Sequence, residues 1–286
     1  MKVGLLSPSM PPFDSPEAAR LVATLAERYG AHSLWVPEHV VLPVSYETPY
    51  PYSGDGRMPV PAEWPYPDPL AWLSYVAGLT STVRLVTGML VLPQRNPVVL
   101  AKETATIDFP SGGRLSLGVG LGWFREEFAA VGVSFEDRVA RFEESVEVLR
   151  TLWSGGGSYE GKYHRLRDVR CHPRPAQPGG IPVIMGGHSV AAARRAGRLA
   201  DGFCPAVADP APLFAECRRA AAEAGRDPGD VTLIAEAAPA GPERAAELRA
   251  MGVSVALVYP PQVPVDELTD AFADFADRVL APIAAL

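Results

Sequence analysis

The sequence predicts an α/β protein, a single (β/α)8 TIM barrel spanning 1–286, on three observations. Short runs rich in β-branched residues alternate with segments of helical period along the whole chain. Residues 83–123, VRLVTGMLVLPQRNPVVLAKETATIDFPSGGRLSLGVGLGW, make a complete β-α-β unit in which two apolar runs flank a helix opening at Asn96-Pro97. A length of 286 residues, 48% of them hydrophobic, suits one barrel of about 250 residues with insertions.

Residues 2–6 (KVGLL) read as the first strand, and 15–28 as an amphipathic helix started by Ser15-Pro16 and stopped by Gly30. The second strand, 33–36, runs straight into Pro37-Glu38-His39, at the carboxyl end where barrels place their chemistry. Residues 40–67 hold too much Pro, Tyr and Gly for either period and read as a lid or binding loop. Its aromatics, Tyr46, Tyr50, Tyr52, Trp64 and Tyr66, suit a substrate pocket and equally suit packing against the body or a second subunit. A helix over 68–79 leads to the central unit, with strands at 84–91 and 114–119. Helices follow at 125–131 and 136–153, then an insertion over 154–180 with a small hairpin between Tyr159 and Leu166. Strands at 181–185, 201–205, 231–235 and 255–258, each followed by a helical segment, bring the count to eight of each.

A net charge of −7 without any basic run argues against a nucleic-acid partner. No apolar run reaches roughly 18 residues, and neither a leader nor a lipidation signal is recognisable. The expectation is a soluble cytoplasmic protein without a membrane partner. Cys171, Cys204 and Cys217 are odd in number and lack a C-x-x-C, so neither a disulfide framework nor a metal site is expected.

Both strands of the central unit end in permissive backbone, Thr87-Gly88 in the first and Gly118, Gly120 and Gly122 in the second. The main chain can therefore lie against something flat, such as a planar ring. A dinucleotide fingerprint is excluded, because the glycines are not spaced G-x-G-x-x-G and a charged helix follows Trp123. Gly186-Gly187-His188-Ser189, between a strand and a helix, is suited to an anion through free N–H groups and the helix dipole; the alternative is that Ser189 is only an N-cap.

Taken together, WVPEHV, the 87–123 stretch, RTLWSGG with YEGKYHRL, and IPVIMGGHSVAAARRAGRLADGF resemble the bacterial luciferase-like superfamily. The lid segment SYETPYPYSGDGRMPVPAEWPYPDP is most similar to its F420-dependent oxidoreductase branch. The resemblance covers about 2–205. It implies a deazaflavin ring backed by Gly88, Met89 and Leu90, with a non-prolyl cis bond at Gly88-Met89. It also implies that Gly120, Leu121, Gly122 and Trp123 flank the ring and that Gly186, Gly187, His188 and Ser189 hold the phosphate. Arg125 and Arg95 are the cations nearest the expected mouth, for the acidic tail of F420. His39 would handle the proton, tuned by Glu38. The implied activity is hydride transfer between coenzyme F420 and a small organic substrate, in a homodimer paired through barrel helices. The alternatives are an FMN-dependent two-component monooxygenase and a non-catalytic flavin binder. One departure stands out: the family's sugar-phosphate dehydrogenases have a glutamate where this chain has Trp123, which points to a more apolar pocket.

Overall fold

The computed structural model describes residues 1–286. Eight strands form the barrel: β1 Lys2–Leu6, β2 Ser33–Val36, β3 Arg84–Thr87 with a continuation at Leu90–Val91, β4 Leu115–Gly120, β5 Val183–Gly187, β6 Gly202–Pro205, β7 Thr232–Glu236 and β8 Val255–Val258. Each is parallel to its neighbours, and Lys2 opposite Val255 closes the barrel from β8 to β1. Residues 88–89 interrupt β3, and their peptide bond is cis, as the resemblance implied.

Local chemistry starts the helices where the sequence places them. Ser15 Oγ accepts from Ala18 N at 3.1 Å ahead of the helix Pro16–Arg28, and Asn96 Oδ1 accepts from Val98 N at 2.9 Å ahead of Pro97–Asp108. The insertion holds an antiparallel pair, Tyr159–Glu160 with Arg165–Leu166. Its turn is tied to the barrel by Glu144, which accepts from the backbone of Lys162, Tyr163 and His164.

Apolar side chains divide between two cores. The larger lies between strands and helices, and a small inner one holds Trp35, Val86, Ile184, Ile234, Val255 and Leu257. Because strand side chains alternate, these six mark which residues of each strand face the barrel axis.

Most boundaries shift by a residue or two from the sequence reading, and two of the shifts bear on the architecture. Strand β5 runs two residues further, so Gly186 and Gly187 pair with Cys204 and Pro205 inside the sheet. The last helix begins at Leu268 and passes through a π-helical stretch, Ala276–Leu280. No helix is long and apolar enough to cross a membrane.

Candidate active site at the carboxyl end of the barrel

The ends of β3, β4 and β5 form a floor around Met89. A Cβ on Gly186 would lie 2.8 Å from Met89 Cγ, and one on Gly118 would lie 1.9 Å from the Thr87 carbonyl oxygen. These glycines therefore make room for Met89 and for close strand contact, whereas a Cβ on Gly120 would meet only Met89 Cβ, at an ordinary 3.6 Å. Gly122 has φ +76, and a Cβ there would strike Val91 and Phe128 at 2.6 and 2.7 Å. Leu90 is fully buried in the outer core, so only its backbone could meet a ligand.

At β5 the chain turns at Gly187 into the helix Val190–Leu199, leaving His188, Ser189 and Val190 exposed. A Cβ on Gly187 would lie 2.5 Å from Ala192 Cβ, so glycine lets the turn hug the helix. Ser189 Oγ accepts from Ala192 N at 3.2 Å. It is the N-cap, which does not prevent the turn from presenting N–H groups outward.

The structure corrects the pairing expected between Glu38 and His39. Glu38 is buried and makes no hydrogen bond to the imidazole; it accepts from Val91 N at 2.5 Å and from Arg95 Nε at 2.9 Å. Arg95 also binds Asp68, which caps the helix Pro69–Ala77. Burial is the largest influence on the Glu38 carboxyl and raises it, against the opposing pull of Arg95. Arg95, expected to be a free cation for an acidic tail, is thus committed to two carboxylates. Arg125 is exposed, but it pairs with Glu136 at 2.5 Å and lies over the Phe135 ring.

His39 has another partner. Its Nδ1 lies 3.3 Å from Glu127 Oε2, and the other oxygen of Glu127 accepts from Val40 N at 2.6 Å. The imidazole sits among Tyr66, Trp123 and Phe124, with ring centroids 5.2, 6.2 and 6.3 Å away. Glu127 is 1% exposed and sits in the helix Arg125–Ala130. Sequence reading missed it, since a glutamate in a charged helical run looks like solvated surface. Its one signal was its place on the first turn after the glycine strand.

The lid crosses this face. Tyr50 meets Trp123 edge-on at 5.2 Å, and Tyr52 meets His188 at 5.3 Å, so the lid bridges the ends of β4 and β5. Glu126 anchors its first half, accepting from Glu47 N, Thr48 N and the Thr48 hydroxyl at 2.7, 3.1 and 2.6 Å. Burial pushes the Glu126 carboxyl up, but those three bonds outweigh it and hold it at about 2. A cavity of about 390 Å³ opens beside Glu38, His39, Tyr66 and Arg95, outside the floor. Cys204, on β6, is a protonated thiol pushed by burial up to about 12.

The profile of a family described as luciferase-like monooxygenase matches residues 1–268. The chain belongs to the luciferase-like family. It is accordingly an enzyme, and its relatives include members of the F420-dependent branch. An uncharacterized protein of Mycobacterium tuberculosis is 31% identical over 269 residues, covering 92% of both chains. The F420-dependent glucose-6-phosphate dehydrogenase of Segniliparus rotundus is 36% identical over 222 residues, 74% of this chain and 61% of that protein. Among solved structures, the coenzyme F420-dependent tetrahydromethanopterin reductase of Methanopyrus kandleri shares the fold, with a TM-score of 0.73 over 98% of both chains at 19% identity. The monooxygenase RslO1 of Streptomyces bottropensis also has a TM-score of 0.73, at 24% identity over 98% of this chain and 99% of that one.

Proposed function

We propose that this luciferase-like protein is an F420-dependent oxidoreductase that moves a hydride between the deazaflavin and a small organic substrate. The observation that carries the reading is the juxtaposition, on the paired strands β4 and β5, of an unobstructed glycine at Gly120 and an exposed anion-ready turn at Gly187–Ser189. These fit a flat ring with a phosphate at the end of its side chain. The 36% identical relative that uses F420 supports that cofactor over FMN.

When bound, the deazaflavin supplies a carbon that accepts or donates hydride. The residues of the chain do the rest. Met89 and Gly120 support the ring, Trp123 flanks it, and the backbone of Gly187, His188 and Ser189 holds the phosphate. Glu127 fixes the His39 imidazole through Nδ1, which leaves Nε2 to hold or release the substrate's proton. Tyr66, Trp123 and Phe124 keep bulk water from that imidazole, and the lid covers the reacting pair.

The deciding experiment titrates the purified protein separately with F420 and FMN. Tight F420 and weak FMN binding is expected; tight FMN binding with negligible F420 binding would overturn the proposal and favour a two-component monooxygenase.

A further inference from the structure

Tyr66 is a wall shared by two cavities. One is the space beside His39 already described; the other, of about 500 Å³, lies between the loop that follows β1, the helices Pro16–Arg28 and Pro69–Ala77, and the end of the lid. Its volume is in the range of small-molecule sites. Phe13, Ala19 and Trp72, all buried, line its inner part, the lid supplies Pro65, Tyr66 and Pro67, and the exposed Asp14 and Pro16 stand at the rim.

The polar groups of this lining are few and uneven. Ser9 is 2% exposed, and its hydroxyl has no hydrogen-bond partner, a costly arrangement for a buried O–H. Ser15 is already engaged, as the cap that accepts from Ala18 N. Asp14 is the one acid, and no Lys, Arg or His lines the space. An anion would therefore find a like charge at the entrance and no countercharge within. A cation would meet Asp14 only at the solvent-facing rim, where a pair contributes little. What fits is a neutral, largely apolar molecule with one hydroxyl or carbonyl oxygen for Ser9 and a flat body for the rings of Phe13, Tyr66 and Trp72.

Occupancy would bear on the lid. Its first half is tied by polar bonds to Glu126 and Glu127, whereas the return leg, 59–67, has a single hydrogen bond, Trp64 N to Pro61 O at 3.2 Å, which lies within the leg itself. Apolar packing is what seats this leg, and Tyr66 carries it to the edge of the His39 ring, centroid to centroid 5.2 Å. A molecule lodged between the leg and the two helices adds contacts that exist only while the leg is seated, and so stabilises the seated state by mass action.

We propose that this cavity is a second ligand site, separate from the cofactor floor, that takes a small neutral aromatic or alicyclic alcohol or ketone, with its oxygen on Ser9, and that the bound molecule braces the return leg of the lid behind His39. The site does not depend on which cofactor the barrel mouth holds.

The probes are 2-naphthol, naphthalene and 2-naphthoate, each added to the purified protein and followed by calorimetry and by nitrogen-15 NMR of the tryptophan indoles. 2-Naphthol is expected to shift the indole signal that Trp72→Phe removes, and to bind about tenfold more tightly than naphthalene, as for one hydrogen bond to a buried hydroxyl. It should exceed 2-naphthoate by at least as much. Ser9→Ala should abolish the preference for 2-naphthol over naphthalene, and Ala19→Leu, which extends a side chain into the cavity, should weaken both severalfold. Saturation with 2-naphthol should slow hydrogen exchange at the Trp64 and Tyr66 amides. An unmoved Trp72 signal, 2-naphthoate binding as tightly as 2-naphthol, an unchanged preference in well-folded Ser9→Ala, or unchanged affinities in Ala19→Leu would each overturn the site. Binding that leaves the Trp64 and Tyr66 amides exchanging as before would overturn the brace.

Discussion

The imidazole of His39 meets the carboxylate of Glu127 at 3.3 Å across 88 residues of chain. Glu127 is acceptor-only when ionised, so it favours the tautomer that carries hydrogen on Nδ1. Nitrogen-15 NMR of the neutral side chain should find the proton there in the wild type and moved toward Nε2 in Glu127→Gln. If His39 handles the substrate's proton, the same variant should lose about 100-fold in turnover, the range for a misplaced acid-base group.

Glu126 should govern lid attachment without governing folding. Glu126→Ala removes the acceptor for Glu47 N, Thr48 N and the Thr48 hydroxyl, all on the lid. Limited proteolysis is expected to cut within 40–67 severalfold faster, while the unfolding midpoint stays close to that of the wild type. Equal cleavage rates would show that the lid's aromatic contacts suffice.

Glu38 should matter for stability. Glu38→Gln leaves Arg95 in a confined setting with Asp68 as its one remaining carboxylate, a loss of about 3 kcal/mol by the measure of broken buried pairs. Urea denaturation checks the value. A change under about 0.5 kcal/mol, the ordinary range for a surface substitution, would mean that water compensates the guanidinium.

The barrel was legible because its signals are local. Caps at Ser15 and Asn96, short apolar runs rich in β-branched residues, and Gly30 after the first helix require only near neighbours in the chain. The glycines at 88, 118, 120 and 186 marked the right end of the barrel, but their neighbours were invisible: Met89 fills much of the space that a flat ligand alone seemed to require. Partner choice was the least legible feature. Adjacency in PEH suggested that Glu38 serves His39, yet consecutive residues leaving a strand point in different directions, and both side chains found partners more than 50 residues away.

Stability should depend on pH through His32. Burial, with help from Lys2 and Arg84, holds this imidazole down at about 4 against an ordinary 6.5. Between those values the unfolded chain takes a proton that the native one refuses. Stability is therefore full above pH 6.5 and falls as the pH drops toward 4, by at most roughly 3 kcal/mol and less after solvent screening. Denaturation at pH 7 and pH 5 should show the decline in wild type and a smaller one in His32→Gln.

A homodimer is expected to form across the helices Pro69–Ala77 and Pro97–Asp108, which leave Tyr75, Val99 and the adjoining Phe109 exposed. Light scattering at micromolar concentration should give twice the chain mass, and Phe109→Glu should reduce it. A monomer in the wild type would refute the assignment.

The lid leaves and rejoins the barrel on consecutive elements, and its polar moorings fall on Glu126 and Glu127, neighbours in one six-residue helix. Substrate preference can therefore diversify as a cassette. A foreign loop needs an amide at position 40, a hydroxyl and two amides near position 48, and an aromatic face toward Trp123; everything between those moorings is free to vary without disturbing the register of any strand.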